Sequence, residues 1–591
     1  MNIADYKQKI IGNTSSLVKK AWAMAVSAIN ALPSGRVGVG AVLLAACTSA
    51  PNSLPSAYTA CEEPVVLYPD YMDVTIPPNI APLNCMVEDS LAEAFVAHYQ
   101  GGGMEMTVGA AEDGILQLDS VQWRSMLQKA KGGDITVTVY AQRDGAWVQH
   151  PAFTLSVAEE DIDPYLSYRL IEPGYELYRQ IGLYQRNLTT WDEQPIYENN
   201  RTYNEQDNHC VNCHNYRQNS TRDMVFHVRA EHGGTIVVQD GKARKIGIKD
   251  STIITSGVYP SWHPTEDLVA FSTNKTGQVF HLHHQEKVEV VDARSDLLLY
   301  DVKKNEVSHI VRSRGTLETF PCWAPDGRRL YYTAAHYQNI PAPLDESGFA
   351  ASSGSMDADH SSEFLRLFNE QRELAMRQND TIAAMPDSML DNAIAMNYQQ
   401  MRYNLMAVDF DPATRTFGEP QTIIDAATRG RSISVPRVSP DGRYVLYTEA
   451  DYGQFHIWHR SSDLYVQDLQ RDSCYALTEA NSPDVDSFHS WSSNGRWIVF
   501  SSRRMDGNYT RPFIAYFDKN GRARKAFVLP QQDPEWNLLL LKSYNVPELT
   551  RDAVRITPEA LRECIYNTEP EPAQVNASRP VDGYTGASKK N

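Results

Sequence analysis

Four segments of this chain align with one another without gaps: "YPSWHPTEDLVAFST" (259–273), "FPCWAPDGRRLYYTA" (320–334), "VPRVSPDGRYVLYTE" (435–449) and "FHSWSSNGRWIVFSS" (488–502). Each reads as a strand, a tight turn of the Pro/Ser-Asp/Asn-Gly-Arg type, and a second strand of alternating apolar residues. Third and fourth strands follow at variable distance, in "DLLLYDVKKNEVSHIV", "NLMAVDFDPATRTFGEPQTII", "DLYVQDLQRDSCYALT" and "PFIAYFDKNGRARKAFVL". One such unit cannot bury both of its faces. Repeated four-stranded units therefore stack as the blades of a propeller.

The repeat resembles that of TolB-like β-propellers, over roughly residues 220 to 530; Thr265-Glu266-Asp267 and Ser493-Asn494-Gly495 depart mildly from its turn. Six blades are expected within a propeller domain spanning 224–545, with "MVFHVRAEHGGTIVV" (224–238) helping to build the first and 546–591 left as a C-terminal extension. The second repeat carries a long extra segment between its second and third strands. Residues 360–404 within it have helical periodicity and many strong helix formers, so 341–398 are expected to form a helical insertion, standing over one face of the propeller as a lid.

Alternating strand direction brings the second-to-third-strand loops to the same end of the propeller as the beginnings of the first strands. Seven of the 16 histidines, namely His281, His283, His284, His336, His456, His459 and His489, fall at those positions, together with Trp458, Arg503 and Arg504. A functional face is expected there.

The N-terminal side has a different character. Residues 37–46, "VGVGAVLLAA", form an apolar run too short to span a bilayer, preceded by Arg36, Lys19 and Lys20, as in a signal peptide. It ends in Leu44-Ala45-Ala46-Cys47, which resembles the bacterial lipobox. That resemblance implies removal of 1–46 and lipid attachment at Cys47, with 47–60 as a flexible tether. Residues 61–160 alternate in strand fashion with glycine turns, and predict an immunoglobulin- or fibronectin-like β-sandwich. Cys61 and Cys85 are a candidate disulfide in an oxidising compartment. Residues 161–223 lack hydrophobic periodicity and read as a segment wrapped outside the propeller.

Within that segment lies "NHCVNCHNYRQN" (208–219), containing C-x-x-C-H. In an exported protein this spacing reads as c-type haem attachment, with Cys210 and Cys213 adding to the vinyl groups and His214 ligating the iron. The motif matches that of cytochromes c at all three positions. The candidate second iron ligands are His227 and His489, then Met224. Two alternatives stay open: zinc held by His209, Cys210, Cys213 and His214, and a pair of redox or structural thiols.

A composition of 42% hydrophobic and 22% charged residues is that of a globular protein, and a net charge of −18 offers no broad basic surface for nucleic acid. An anionic ligand would need a local cationic site. No G-x-S-x-G, Walker or H-E-x-x-H motif occurs. The sequence therefore predicts a mostly β, lipid-anchored protein of the bacterial envelope, outer membrane or periplasm-facing. One haem c on a TolB-like propeller would serve electron transfer or haem redox chemistry with an envelope protein. The alternative is a non-enzymatic propeller scaffold that binds an envelope protein or a glycan.

Overall fold

The computed structural model describes residues 53–172, 180–201, 207, 209–248, 253–281, 286–337 and 387–576, and divides the chain into two compact units. The larger runs from Glu160 to Leu529 and from Leu540 onward. It is a mostly β propeller.

Five blades are continuous in sequence, each a four-stranded antiparallel sheet whose first strand is innermost. Blade one comprises His209–Arg217, Ser220–Ala230, Gly234–Gln239 and Lys242–Gly247. Blade two comprises Val258–Trp262, Leu268–Phe280, Val288–Asp301 and Glu306–Val311. Blade three comprises Thr316–Trp323, Arg329–His336, Asn404–Asp411 and Gln421–Ile424. Blade four is Ser432–Val438 to Ser473–Ala476, and blade five is Asp486–Trp491 to Phe527–Val528. The sixth is assembled from both ends of the unit. Its inner strand Ser543–Thr550 pairs with Tyr165–Ile171, which continues into Ile181–Asn187 and Glu193–Glu198. Each inner strand neighbours the next in order, and the sixth neighbours the first, so the ring closes.

This placement corrects the sequence reading in two respects. Residues 165–198 and 209–217 are blade strands, not a wrap outside the propeller, and the segment beyond 545 supplies most of a closing strand. Closure by chain ends is the reason. The outer strands of blade six are buried against blade one, where Ile181, Leu183, Ile196 and Tyr197 meet Cys210, Val211, Met224 and Phe226. Like clusters fill the spaces between blades one and two, two and three, and three and four.

The repeated turn has a packing reason for its glycine. Gly327, Gly442 and Gly495 have φ of 69°, 72° and 67°, open to glycine at little cost. A Cβ on Gly327 would meet the His263 ring at 2.4 Å, and one on Gly442 or Gly495 would touch Pro325 or Pro440 of the preceding turn at 3.4 Å. The turns thus nest blade against blade.

The insertion is described only from Asp387. Leu374, Met376 and Met385 lie outside the described residues. Helix Asp387–Met396 does not stand free as a lid, because Leu390, Ala393 and Ile394 pack on Leu317, Ala335, Tyr337 and Tyr403. Asp391 bonds Lys275 at 3.0 Å and Arg294 at 3.0 Å, tying this end of the insertion to blade two.

The smaller unit holds residues up to Glu159 and Pro530–Leu539. It has a seven-stranded sheet built around Ala94–Gly101 and Asp134–Arg143, and a small sheet of Leu67–Tyr68, Cys85–Val87 and Ile115–Leu116. A helix absent from the sequence expectation, Ser120–Ala130, is capped by Asp119 and buries Trp123, Met126 and Leu127. Cys61 and Cys85 are not bonded to each other. The Cys61 thiol lies 3.5 Å from His150 Nδ1, whereas Cys85 is buried in its strand.

Candidate functional site

Every inner strand carries a β-bulge at an equivalent place, and each of these has a residue with positive φ: Cys213 at 54°, Tyr259 at 48°, Phe320 at 53°, Val435 at 51°, Phe488 at 46° and Val546 at 49°. A non-glycine residue rarely adopts this conformation, and a bulge that does so re-aims its side chain. Here the bulges turn side chains toward the ring centre. Phe320, Val435 and Phe488 cluster there with Ile457 and Val485, and Tyr259, Phe455, Trp458 and Val546 pack against them. The Tyr259 and Phe320 rings lie 4.1 Å apart. The channel is therefore filled by an apolar plug.

The C-x-x-C-H motif is one-sixth of this arrangement. Cys213 occupies the bulge position, and His214 stands where the other blades have Pro260, Pro321, Pro436, His489 and Pro547. Cys210 is 5% exposed within the apolar cluster between blades six and one, and burial pushes its thiol pKa up. Cys213 is half-buried. His214 is 3% exposed; burial, then the nearby Arg169 and Arg437, lower its pKa to about 3. Neither of its ring nitrogens makes a well-formed hydrogen bond, although the Val546 backbone is close enough to favour its charged form slightly.

These residues do not fit a covalently attached haem. Both thiols would have to meet one macrocycle with His214 over its iron. Cys210 instead faces an interblade core, His214 is enclosed, and the strand between them is paired with Ser220–Ala230. The proposed second ligands are also held elsewhere. His227 Nδ1 lies 3.3 Å from Thr235 Oγ1, His489 Nε2 lies 3.1 Å from the Leu446 carbonyl, and Met224 is fully buried in the apolar cluster. His209 is engaged by Tyr197 Oη at 2.7 Å and Asp207 at 3.0 Å. Among the described residues no group of three His, Cys, Asp or Glu side chains is placed to hold a metal. Residues 1–52, with Cys47, lie outside the described residues.

The end of the ring where inner strands begin, called here the upper face, does gather chemistry. His281 and His336 lie on it, half-buried; His283 and His284 fall outside the described residues. His456 and His459 are buried and hold their loop. His456 Nδ1 lies 3.0 Å from Thr448 Oγ1, and His459 Nε2 lies 2.9 Å from Glu289, whose other oxygen accepts from Tyr452 Oη. The sequence reading missed Asp292, on the same long blade-two hairpin. It accepts from Asn274 at 2.6 Å, Thr276 at 2.7 Å and Gln454 at 3.1 Å, and burial raises its pKa to about 6. Its signal was the pairing of two unusually long strands, which carries "STNKT" and "EVVDAR" beyond the blade.

Two adjacent arginines behave differently. Arg504 donates to Asp486 at 2.7 Å, the Ala480 carbonyl at 2.6 Å and Ser502 Oγ at 2.9 Å. Arg503 is 5% exposed and stacks 3.8 Å above the Trp458 ring, with its Nε unpartnered. Burial lowers its pKa to about 10. A buried donor left without an acceptor costs about 1–3 kcal/mol.

No protein-family model matches the sequence, and no curated protein matches it. Solved structures similar to it include an oligogalacturonate lyase in complex with manganese, at 11% identity over 61% of this chain and 73% of that chain, with a TM-score of 0.31. The β-propeller domain of the Trilobed protease from Pyrococcus furiosus is 9% identical over 68% and 96%, with a TM-score of 0.28. The tricorn protease is 10% identical over 78% and 48%, with a TM-score of 0.29. At these levels the propeller assignment rests on the strand pairing described above, and no activity is transferred.

Proposed function

We propose that the chain is an exported, lipid-anchored binding propeller that recognises an envelope protein or glycan on its upper face. The observation that carries this reading is the construction of that face. Its loops are the longest of the ring, and buried polar side chains from different blades fix them: Glu289 with His459 and Tyr452, Asp292 with Gln454, and Asp391 with Arg294. Long loops that carry their own buried polar networks are preorganised for recognition. Electron transfer through a haem is set aside, because its attachment motif is a blade strand.

Hydrogen exchange read by mass spectrometry, with and without solubilised envelope extract, tests the reading. Protection is expected in 451–462 and 503–510. Protection confined to the opposite turns, such as 325–328 and 440–443, would overturn it.

A further inference from the structure

Arg503 is the side chain on the upper face that the fold itself does not explain. Its neighbour Arg504 and the buried Arg511 place Nη donors on carbonyls or carboxylates; Arg511 donates to the Leu540 and Lys542 carbonyls at 2.6 and 2.7 Å. Among the described residues the Arg503 side chain has no such acceptor, and its Nε is buried without a partner. Asp484, Asp506 and Glu286 act on its charge from a distance. All three are otherwise engaged: Asp484 accepts from Val485 N at 2.7 Å and lies 3.8 Å from Arg460, Asp506 accepts from Asn508 N and Tyr509 N at 2.7 and 2.8 Å, and Glu286 accepts from Arg460 N at 3.3 Å.

We propose that Arg503 and Trp458 form a binding site for a monocarboxylate carried on a ring. Three features define that ligand. A guanidinium fork pairs two N–H groups with the two oxygens of a carboxylate, and the Arg503 side chain, whose buried Nε has no partner among the described residues, is prepared for one. Trp458 and Phe455, partly exposed at the edge of the plug, supply apolar surface beside it, suited to a ring face. The three surrounding carboxylates oppose any anion in proportion to its charge, so a phosphate dianion is disfavoured more strongly than a monocarboxylate that gains the paired bonds of the fork. The site also meets the requirement for a local cation on a chain of net charge −18. This deepens the binding reading given above and rests on it.

The probes are glucuronate and benzoate, which separate a sugar acid from an aromatic acid, with glucose, benzyl alcohol and inorganic phosphate as controls. Calorimetric titration and ligand-dependent melting are measured on the full chain. Saturable binding of either acid is expected, with at least about tenfold weakening in Arg503→Gln, the loss typical of a charge-assisted pair. Arg503→Met keeps the stacking volume on Trp458 and removes the unpaired charge. It is expected to melt cooperatively at or above the parent temperature without binding acid. No saturable binding of either acid, equal binding of the neutral controls or phosphate, or unchanged affinity in Arg503→Gln overturns the proposal. If the acids fail while exchange protection of 451–462 and 503–510 by envelope extract persists, only the ligand assignment falls and the upper-face reading stands.

Discussion

Replacing His214 by proline tests the assignment of the C-x-x-C-H motif to a blade. Proline already stands at the equivalent position in four of the six inner strands, at 260, 321, 436 and 547, each preceded by a residue with φ between 48° and 53°. The backbone at 213 has φ 54° and so already matches. His214 also falls within the register shift between Asn212 and Asn215, outside the paired ladder, so a lost N–H breaks no sheet bond. Removing two buried nitrogens that make no well-formed bond recovers about 1–3 kcal/mol. A more restricted unfolded chain adds about 0.4–1 kcal/mol. Against this, loss of buried imidazole packing costs about 1–3 kcal/mol. The terms cancel to within about 1 kcal/mol. Calorimetric melting of the parent and His214→Pro is expected to give one cooperative propeller transition within a few degrees. A variant that is insoluble or melts without cooperativity would refute the equivalence of the six positions.

Other expectations follow from the same packing. Glu548 is buried beside Arg437 and accepts from Asn215 Nδ2 and Tyr216 N; burial raises its pKa from 4.5 to about 7. A raised carboxyl contributes its full stability below the unfolded pKa and loses it as pH rises through 7, a loss of about 3 kcal/mol. Glu548→Gln should therefore match the parent's melting temperature at pH 4.5 and exceed it at pH 8; identical pH profiles would contradict this. Arg504→Met should lower stability by about 3–5 kcal/mol, because it strands Asp486 in the interior, whereas Arg503→Met should not. Denaturant titration of the two variants makes the comparison. Cys47→Ser is expected to move the protein out of the membrane fraction or leave the leader uncleaved, and a mature protein with an unmodified Cys47 in its mass spectrum would exclude lipidation.

Four blades were legible because three spell the turn with a Pro/Ser-Asp/Asn-Gly-Arg pattern that a tight, nested hairpin requires, and the fourth, with Pro264-Thr265-Glu266-Asp267, aligns with them strand for strand. The inner strand of blade one escaped, although 224–238 was assigned to that blade, because its turn reads "RQNS" and its bulge reads Cys-His in place of an aromatic or valine followed by proline. The evidence was nevertheless in the alignment: "CHNY" (213–216) matches "FHSW" (488–491) position for position, histidine included. Blade six escaped because its inner strand is remote in sequence from its other three, and no local pattern reports a pairing between chain ends. Strand direction accounts for the position of His281, His336, His456 and His459 at the upper face, whereas His489 lies within its strand against the Leu446 carbonyl, and the burial of His456 and His459 was not foreseeable. Whether His459 faces solvent or Glu289 depends on how far the blade-two hairpin extends, which is a tertiary fact.

The most direct test of the account is the pyridine haemochrome spectrum of the mature protein, produced with the cellular haem-ligation machinery and purified under native conditions. Native alkylation of the same sample maps the thiols: Cys213, half-buried at the channel, should react before the enclosed Cys210. The account predicts no haem c band, with both thiols recovered free. A haem c spectrum, with Cys210 and Cys213 both blocked to alkylation, would show that the inner strand of blade one is a haem-attachment segment and would contradict it.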